Sequence, residues 1–397
     1  MIVPRKARWS LSALFFAEAS SILGTEMAAV ALPWFVLVTS GSAGQMGAVM
    51  AAEFAGIALC GIPSGPLAVR LGPKRTMIVS DIARAVLVAL IPALHWSHLL
   101  SLPWLLALGF GVGAFFPAYS SSQWLAMARL VNEDEARLTR VGSLFGAVNE
   151  TGSFAGPALG GLLIAALGAP AVLLIDAVSF LVPALMVAAF VPRTAKPAAD
   201  EGTQSVAAGL RWLLRDRRLS RRILGVGIQN MGWTAMMATL PVLALTRFDG
   251  GSRMAGWFVA AYGAGSVAGG LMASRIKAPT DRTAAVAVCG FALSTWLLLV
   301  SWSPWIVGLG VALGGVSFGV FFARFFSTLA TRTPAGVRTQ VMIAVNTALS
   351  VTGPIGFVAA GQLLQHASAT ASLRLVAISA SCGALIVATT FQRSRPS

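Results

Sequence analysis

The chain has 397 residues, of which 56% are hydrophobic and only 11% charged, with a formal net charge of +15. Soluble domains carry roughly 25% charged residues, so this composition excludes a water-soluble globule and points to an integral membrane protein. The three cysteines (Cys60, Cys289, Cys382) and three histidines (His95, His98, His366) are scattered within or at the ends of apolar runs. They offer neither a disulfide framework nor a metal-ligand spacing, and no cofactor or metal is expected.

A helix needs about 20 mostly apolar residues to span a bilayer. Basic residues at the N-terminus precede an apolar segment at 11–38. That is longer than the roughly 7–15-residue core of a signal peptide, so it reads as a retained first helix. Further runs follow at 43–69, 76–95, 103–128, 141–167, 169–191, 223–244, 255–273, 284–302, 304–330, 341–364 and 373–390. The expected fold is therefore an all-α integral membrane protein with twelve transmembrane helices. Of the Lys and Arg residues, 24 fall in the N-terminal tail, the even-numbered loops and the C-terminal tail. Only Arg247, Arg253 and Arg374 fall in odd-numbered loops, while Arg84 and Arg324 sit inside spans. Cytoplasmic loops collect positive charge, so both termini are expected in the cytoplasm. Basic loops that hold topology and touch anionic lipid account for the net charge, and no nucleic-acid partner is needed.

The longest polar stretch, 192–222, divides the chain near its middle. It opens as the linker PRTAKPAADEG and continues as VAAGLRWLLRDRRLSRR, whose leucines and tryptophan among arginines predict a basic amphipathic helix on the inner membrane surface. Residues 1–191 and 223–397 then form two six-helix halves. The halves repeat in sequence. AVNETGSFAGP at 147–157 matches AVNTALSVTGP at 344–354, and GPLAVR at 65–70 matches GLMASR at 270–275. Both matches pair like helices, the pattern of a transporter built from two related bundles with its site between them near the midplane.

GPLAVRLGPKR (65–75) resembles the loop motif of the major facilitator superfamily, Gly-x-Leu-Ala-Asp-Arg-x-Gly-Arg-Lys, through Gly65, Leu67, Ala68, Arg70, Gly72 and Lys74. Val69 stands where the motif has aspartate, and Pro73 where it has arginine. GSFAGPALGG (152–161) fits the fifth-helix antiporter motif through Gly152, Gly156, Pro157, Gly160 and Gly161. SDIARA (80–85) and GLRWLLRDRRL in the linker resemble the branch that contains macrolide-efflux pumps and the enterobactin exporter. The resemblance covers the whole chain. It implies two pseudo-symmetric bundles, export of drugs or secondary metabolites by proton antiport through alternating access, a bacterial-type inner membrane and a monomer. It also implies that the bend at Pro157 packs against the other half.

Gly152, Gly156 and Gly160 recur every four residues and form one small-residue seam along helix five, where two backbones can approach closely. Glu150 faces away from that seam, and its counterpart in the second half is Thr347, so symmetric packing does not call for an acid there. An ionisable residue inside the membrane is by default a candidate for function. A carboxyl's hold on its proton changes with its solvation. Glu26, Glu53 and Glu150 are accordingly the candidates for proton coupling, with Glu18 two turns before Glu26 on a similar face and Asp176 as a structural carboxyl. Asp81 and Arg84, spaced i,i+3, read as an ion pair that braces the motif loop in place of the absent aspartate. Gln229, Asn230, Trp233, Met236, Met237 and Tyr262 could line an adaptable pocket for a small hydrophobic or cationic substrate, with Glu26 contributing. Arg324 reads either as a snorkelling cation or as an intramembrane counter-ion.

Two alternatives stay open. One is a dedicated exporter or uptake system for a single metabolite such as a siderophore. The other is an intramembrane enzyme, for which the chain lacks a nucleophile–base set, metal ligands or an H-E-x-x-H cluster. An ATP-driven pump would carry G-x-x-x-x-G-K-[ST], which is also missing.

Overall fold

The computed structural model describes residues 5–131, 135–192, 211, 213, 215–276, 280–300, 303–333 and 338–391. Among them twelve long helices run in chain order. They are α1 (Arg5–Ser40), α2 (Ala43–Leu71), α3 (Pro73–Trp96), α4 (Leu102–Leu130), α5 (Glu135–Leu167) and α6 (Ala169–Phe190), followed by α7 (Arg217–Thr246), α8 (Gly251–Arg275), α9 (Thr280–Leu297), α10 (Pro304–Arg332), α11 (Arg338–His366) and α12 (Ala369–Phe391). Among the described residues α1–α4, α6, α10 and α12 are long and apolar enough in their own right to cross a membrane. Large apolar side chains stand on the outside of the fold, with Leu185 66%, Leu293 71% and Leu385 67% exposed. Such surfaces are unfavourable in water and ordinary against lipid. Trp96 and Trp104 bracket the α3–α4 turn, and Trp296 and Trp305 bracket the equivalent α9–α10 turn. All four are exposed, as expected of an interfacial aromatic belt.

Some connections are a single residue long, and the sequence shows why. Gly72 joins α2 to α3 at φ 81°, and Gly168 joins α5 to α6 at φ 85°. A left-handed backbone suits glycine above all. The residue after Gly72 is Pro73 at the start of α3, a position that has no use for a backbone N–H. The motif glycine and its unusual proline therefore build one tight helix reversal. The side chains of residues 65–70, Gly65 and Arg70 among them, lie outside the described residues, as do 193–210 of the linker. The end of the basic stretch after it, expected to lie in a separate amphipathic helix on the membrane surface, is the start of α7. Residues 217–222, read as linker, form the first turns of α7, where Asp216 caps the N-terminus by accepting from the N–H groups of Arg218 (2.9 Å) and Leu219 (3.1 Å). An N-cap acid outweighs the polar composition of those turns.

The chain forms two compact units. The first comprises Met1–Phe35 with Ala52–Thr203, and the second Val36–Ala51 with Gln204–Ser397. In lipid, helices gain little from burying apolar surface against one another, so close backbone contact through small residues has to hold them together. Within the first unit α2 crosses α4 at Gly56 and Gly113. A Cβ at Gly56 would sit 2.2 Å from the Phe110 carbonyl oxygen, and one at Gly113 would sit 1.9 Å from that of Glu53. Within the second unit the equivalent helices, α8 and α10, interlock through Gly265, Gly269, Gly315 and Gly319, each of whose added Cβ would meet a backbone oxygen at 2.0–2.1 Å. Gly225 on α7 and Gly383 on α12 make a similar crossing. The stretch Val36–Ala51, the end of α1 and the start of α2, belongs to the second unit through α11. Ser42 Oγ donates to Gln365 Oε1 at 3.0 Å, and a Cβ on Gly47 would meet Phe357 O at 2.5 Å.

Candidate functional site

The glycine seam of α5 is a contact surface for α1. A Cβ added at Gly152 would lie 2.8 Å from Ile22, one at Gly156 would lie 2.4 Å from the Glu26 Cβ, and one at Gly160 would lie 3.0 Å from the Met27 backbone. The expectation that this part of α5 packs against the other half is thus corrected for the glycines: their partner is the first helix of their own unit. The α5 helix runs on through Pro157, and Gly161 is buried next to the seam. The carboxylate seated on the seam is Glu26, whose Oε1 accepts a hydrogen bond from Ser153 Oγ at 3.1 Å. Glu150 faces outward on α5, exposed, as its position opposite the seam requires, and its charge interacts with that of Glu26. Toward the other end of the same helix pair lies an apolar groove of about 620 Å³ lined by Phe15, Ala19, Ile22, Leu144, Val148 and Thr151. Its walls hold almost no polar surface, which suits hydrophobic matter.

Within the stretch of α1 that lines this groove, between Phe15 and Ala19, lies a polar clamp. Glu18, buried, accepts from Gln123 Nε2 on α4 at 2.5 Å and from Asn149 Nδ2 on α5 at 2.9 Å. Gln123 also reaches Tyr119 Oη at 3.3 Å. One carboxylate thereby ties three helices together. The signal available in the sequence was Asn149, in the repeated AVN, together with Glu18 in α1.

Asp81 and Arg84 form the expected ion pair, with Nη2 2.5 Å from Oδ1. Its location differs from the expectation. Rather than bracing the motif loop, the pair is buried among α3, α4 and α6, with the guanidinium carbon 4.6 Å from the Tyr119 ring centroid and 4.3 Å from that of Phe180. Lys74 does the bracing. Its Nζ donates to the carbonyls of Ala188 (2.8 Å) and Val191 (2.6 Å) at the C-terminal end of α6, where a cation complements the helix dipole. Arg324 plays the matching part in the second unit. Its Nη2 donates to Ala273 O and Ile276 O, both at 2.6 Å, at the end of α8. It is a helix cap, neither a free snorkelling cation nor a counter-ion. Asp176, also expected to be structural, is buried at the α6–α1 contact beside Gly24. Glu53 lies on α2 at the glycine crossing with α4.

In the second unit the expected pocket residues separate. Gln229 donates to Val288 O at 3.4 Å, and Asn230 donates to Leu349 O and Thr352 Oγ1, both at 3.1 Å. Both amides therefore bind neighbouring helices, and these donors are committed to packing. Trp233 faces Tyr262 with ring centroids 6.2 Å apart, and the row continues to Phe318 (5.9 Å) and Phe322 (5.8 Å). The Trp233 indole N–H is buried with no acceptor among the described residues. Met237 is half-buried one turn along α7, while Met236 is fully buried core. The two phenylalanines were missed because a single Phe in an apolar helix looks like any other core residue.

Among the described residues no group of three His, Cys, Asp or Glu could hold a metal ion. Among the described side chains, the helical acids (Glu18, Glu26, Glu53, Asp81, Glu150 and Asp176) all lie in α1–α6; Asp281 stands in the first turn of α9. The two bundles are thus alike in architecture and unlike in charge.

Residues 14–357 match the family model of the Major Facilitator Superfamily. The chain belongs to this superfamily. It is a multi-pass membrane transporter and not an enzyme. Among relatives, the multidrug efflux pump Tap of Mycobacterium tuberculosis is 24% identical over 94% of this chain and 91% of its own length. An uncharacterized transporter of the superfamily from Bacillus subtilis, YfiS, is 25% identical over 83% of this chain and 79% of its own. Among solved structures, the nucleoside transporter NupG superposes with TM-score 0.73 at 12% identity, covering 96% of this chain and 98% of that one. A D-xylose–proton symporter superposes with TM-score 0.74, also at 12% identity, over 96% and 97%. These likenesses carry the Major Facilitator fold.

Proposed function

We propose that this transporter exports hydrophobic small molecules, drugs or secondary metabolites, from the cytoplasm by proton antiport through alternating access. It sits in the cytoplasmic membrane with both termini inside. The observation that carries this reading is Glu26, a carboxylate seated on the glycine seam and held by Ser153. Its charge interacts with that of Glu150, and an apolar groove flanks the same helix pair. An acid that exchanges solvation as α1 and α5 shift exchanges its proton with it. Glu26 is then the group that releases a proton when substrate arrives, with Glu150 beside it, and the Trp233–Tyr262–Phe318 row offers flat apolar surface to aromatic or lipophilic molecules. The similarity to multidrug efflux pumps supports the direction and the breadth of substrate.

The test is transport by the purified chain in proteoliposomes, using a panel of lipophilic cations and macrolides with and without a pH gradient. Gradient-driven accumulation of several panel members is expected. Glu26→Gln should lose that accumulation and keep exchange that needs no gradient. Transport that ignores the pH gradient would sink the antiport reading.

A further inference from the structure

Around Arg84 the first unit holds more charge than packing calls for. Asp81 is fully buried, Arg84 is 3% exposed and Asp176 is 2% exposed. One guanidinium thereby serves two buried carboxyls, Asp81 on its own α3 and Asp176 on α6, with Glu18 of α1 near the first and Glu53 of α2 near the second. Their charges interact pairwise, Asp81 with Arg84 and Glu18, and Asp176 with Arg84 and Glu53. Tyr119 of α4 faces the same guanidinium. A single cation can neutralise one of these acids, and each of the others is neutral only while it carries a proton.

The pair is also half-made. Arg84 gives Asp81 one hydrogen bond, from Nη2 to Oδ1, while among the described residues buried Arg84 Nε and Asp81 Oδ2 have no partner. A buried ion pair is favourable when its geometry and remaining hydrogen bonds are complete, and here they are not. The guanidinium lies between the rings of Tyr119 and Phe180, a site that holds a cation by its faces and leaves its edges free. Phe180 is one turn from Asp176 on α6, which brings the second carboxyl to the same face of that helix. Among the described residues, the hydrogen-bond donor to the Asp176 carboxyl is its own helix neighbour Ser179, at 3.3 Å. The carboxyl of Asp176 lies directly against α1, since a Cβ at Gly24 would come 2.8 Å from Oδ1. Gly24 is two residues from Glu26.

We propose that Arg84 is a partner-exchange switch. In one state it pairs with ionised Asp81 while Asp176 carries the proton. In the other it pairs with ionised Asp176 while Asp81 carries it. One proton moves from Asp176 to Asp81 as the guanidinium moves the opposite way, so the net charge of the cluster is unchanged. The exchange moves an ion pair from within α3 to the α3–α6 contact, and through Asp176 and Gly24 it reaches the part of α1 that carries Glu26. This role rests on the antiport reading above, whereas the switch is a property of the cluster alone.

Infrared difference spectra of the purified full chain in lipid vesicles, recorded through a pH titration, show the carbonyl band of each protonated carboxyl. Asp81→Asn and Asp176→Asn should each delete one band and shift the pH midpoint of the other, and Arg84→Gln should abolish that mutual shift. Loss of one band with no shift in the other overturns the exchange. The double variant Asp81→Asn/Arg84→Leu removes the pair without stranding a charge, so it should insert and fold. In proteoliposomes it should lose gradient-driven accumulation of the lipophilic-cation probe that the parent moves best. Parental accumulation by the double variant makes the pair a structural strut and overturns the proposed role with antiport intact. A parent that shows mutually shifted bands yet ignores the pH gradient overturns antiport, and the coupling role of the switch with it.

Discussion

Two Gly→Ala changes in one helix separate seam from surface. Gly146 and Gly156 both lie in α5, one on its open face and one on the α1 contact. Among the described residues a Cβ at Gly146 meets nothing within 4 Å, whereas at Gly156 it would lie 2.4 Å from the Cβ of Glu26 and 3.2–3.3 Å from that residue's backbone. Replacing glycine by alanine in a helix contributes up to about 1 kcal/mol, a gain both variants share. Against it, Gly156→Ala must push two backbones apart by roughly an ångström, and forcing a methyl into a filled contact costs about 1–3 kcal/mol. The Ser153–Glu26 hydrogen bond, 3.1 Å long, spans the same contact and would stretch with it. The difference between the variants should therefore be about 1–3 kcal/mol, roughly 5- to 150-fold in an unfolding equilibrium constant. Unfolding of the purified proteins from mixed micelles, followed by circular dichroism, measures that difference. Equal stability of Gly146→Ala and Gly156→Ala would refute the reasoning, because the seam would then be slack and Glu26 would owe it nothing.

Gly315→Val in α10 should fail to accumulate in the membrane, because its Cβ would sit 2.1 Å from the Tyr262 carbonyl oxygen, a backbone atom that cannot rotate away; immunoblots of membranes check this against Gly270→Val, where nothing lies within 4 Å. Lys74→Ala should lower stability by about 1–2 kcal/mol, since two carbonyls at the end of α6 lose a charged donor, and Lys74→Arg should recover part of it in the same unfolding measurement. Glu18→Leu takes away the acceptor that Gln123 and Asn149 share, leaving them Tyr119 Oη and Phe145 O, and should cost more than Glu18→Gln, which keeps one acceptor oxygen. A cysteine placed at Ser97 in the α3–α4 turn should react with an impermeant thiol reagent from outside the cell and one at Asp216 only from inside, a pattern whose reversal would overturn the assigned topology.

Most of the architecture was legible because the bilayer imposes one length and one polarity on every span. Twelve apolar runs map onto twelve helices, and the misplaced boundary, at the start of α7, lies where a cap decided against composition. The glycines of α5 could be read as a seam, but their partner could not, since a small residue says that something approaches and not what. The same spacing at Gly265, Gly269, Gly315 and Gly319 was equally visible and went unused without a motif to point to it. Side-chain roles were least legible. Lys74, Arg324, Gln229 and Asn230 all look functional as isolated polar residues in apolar sequence, and each is engaged by a carbonyl on another helix. The distinction depends on three-dimensional neighbours far apart in the chain.

The division of the chain into units bears on how bundles could be recombined. A hybrid that joins residues up to the central linker with the second bundle of a relative would keep Val36–Ala51 and discard the α11 face to which it is fitted. Ser42 would lose Gln365, and Gly47 would meet whatever side chain the donor carries in place of Gly361. Grafting positions 357–365 along with the first bundle restores both contacts. The modular cut in this protein therefore has two ends, one in the linker and one in the outer turns of α11.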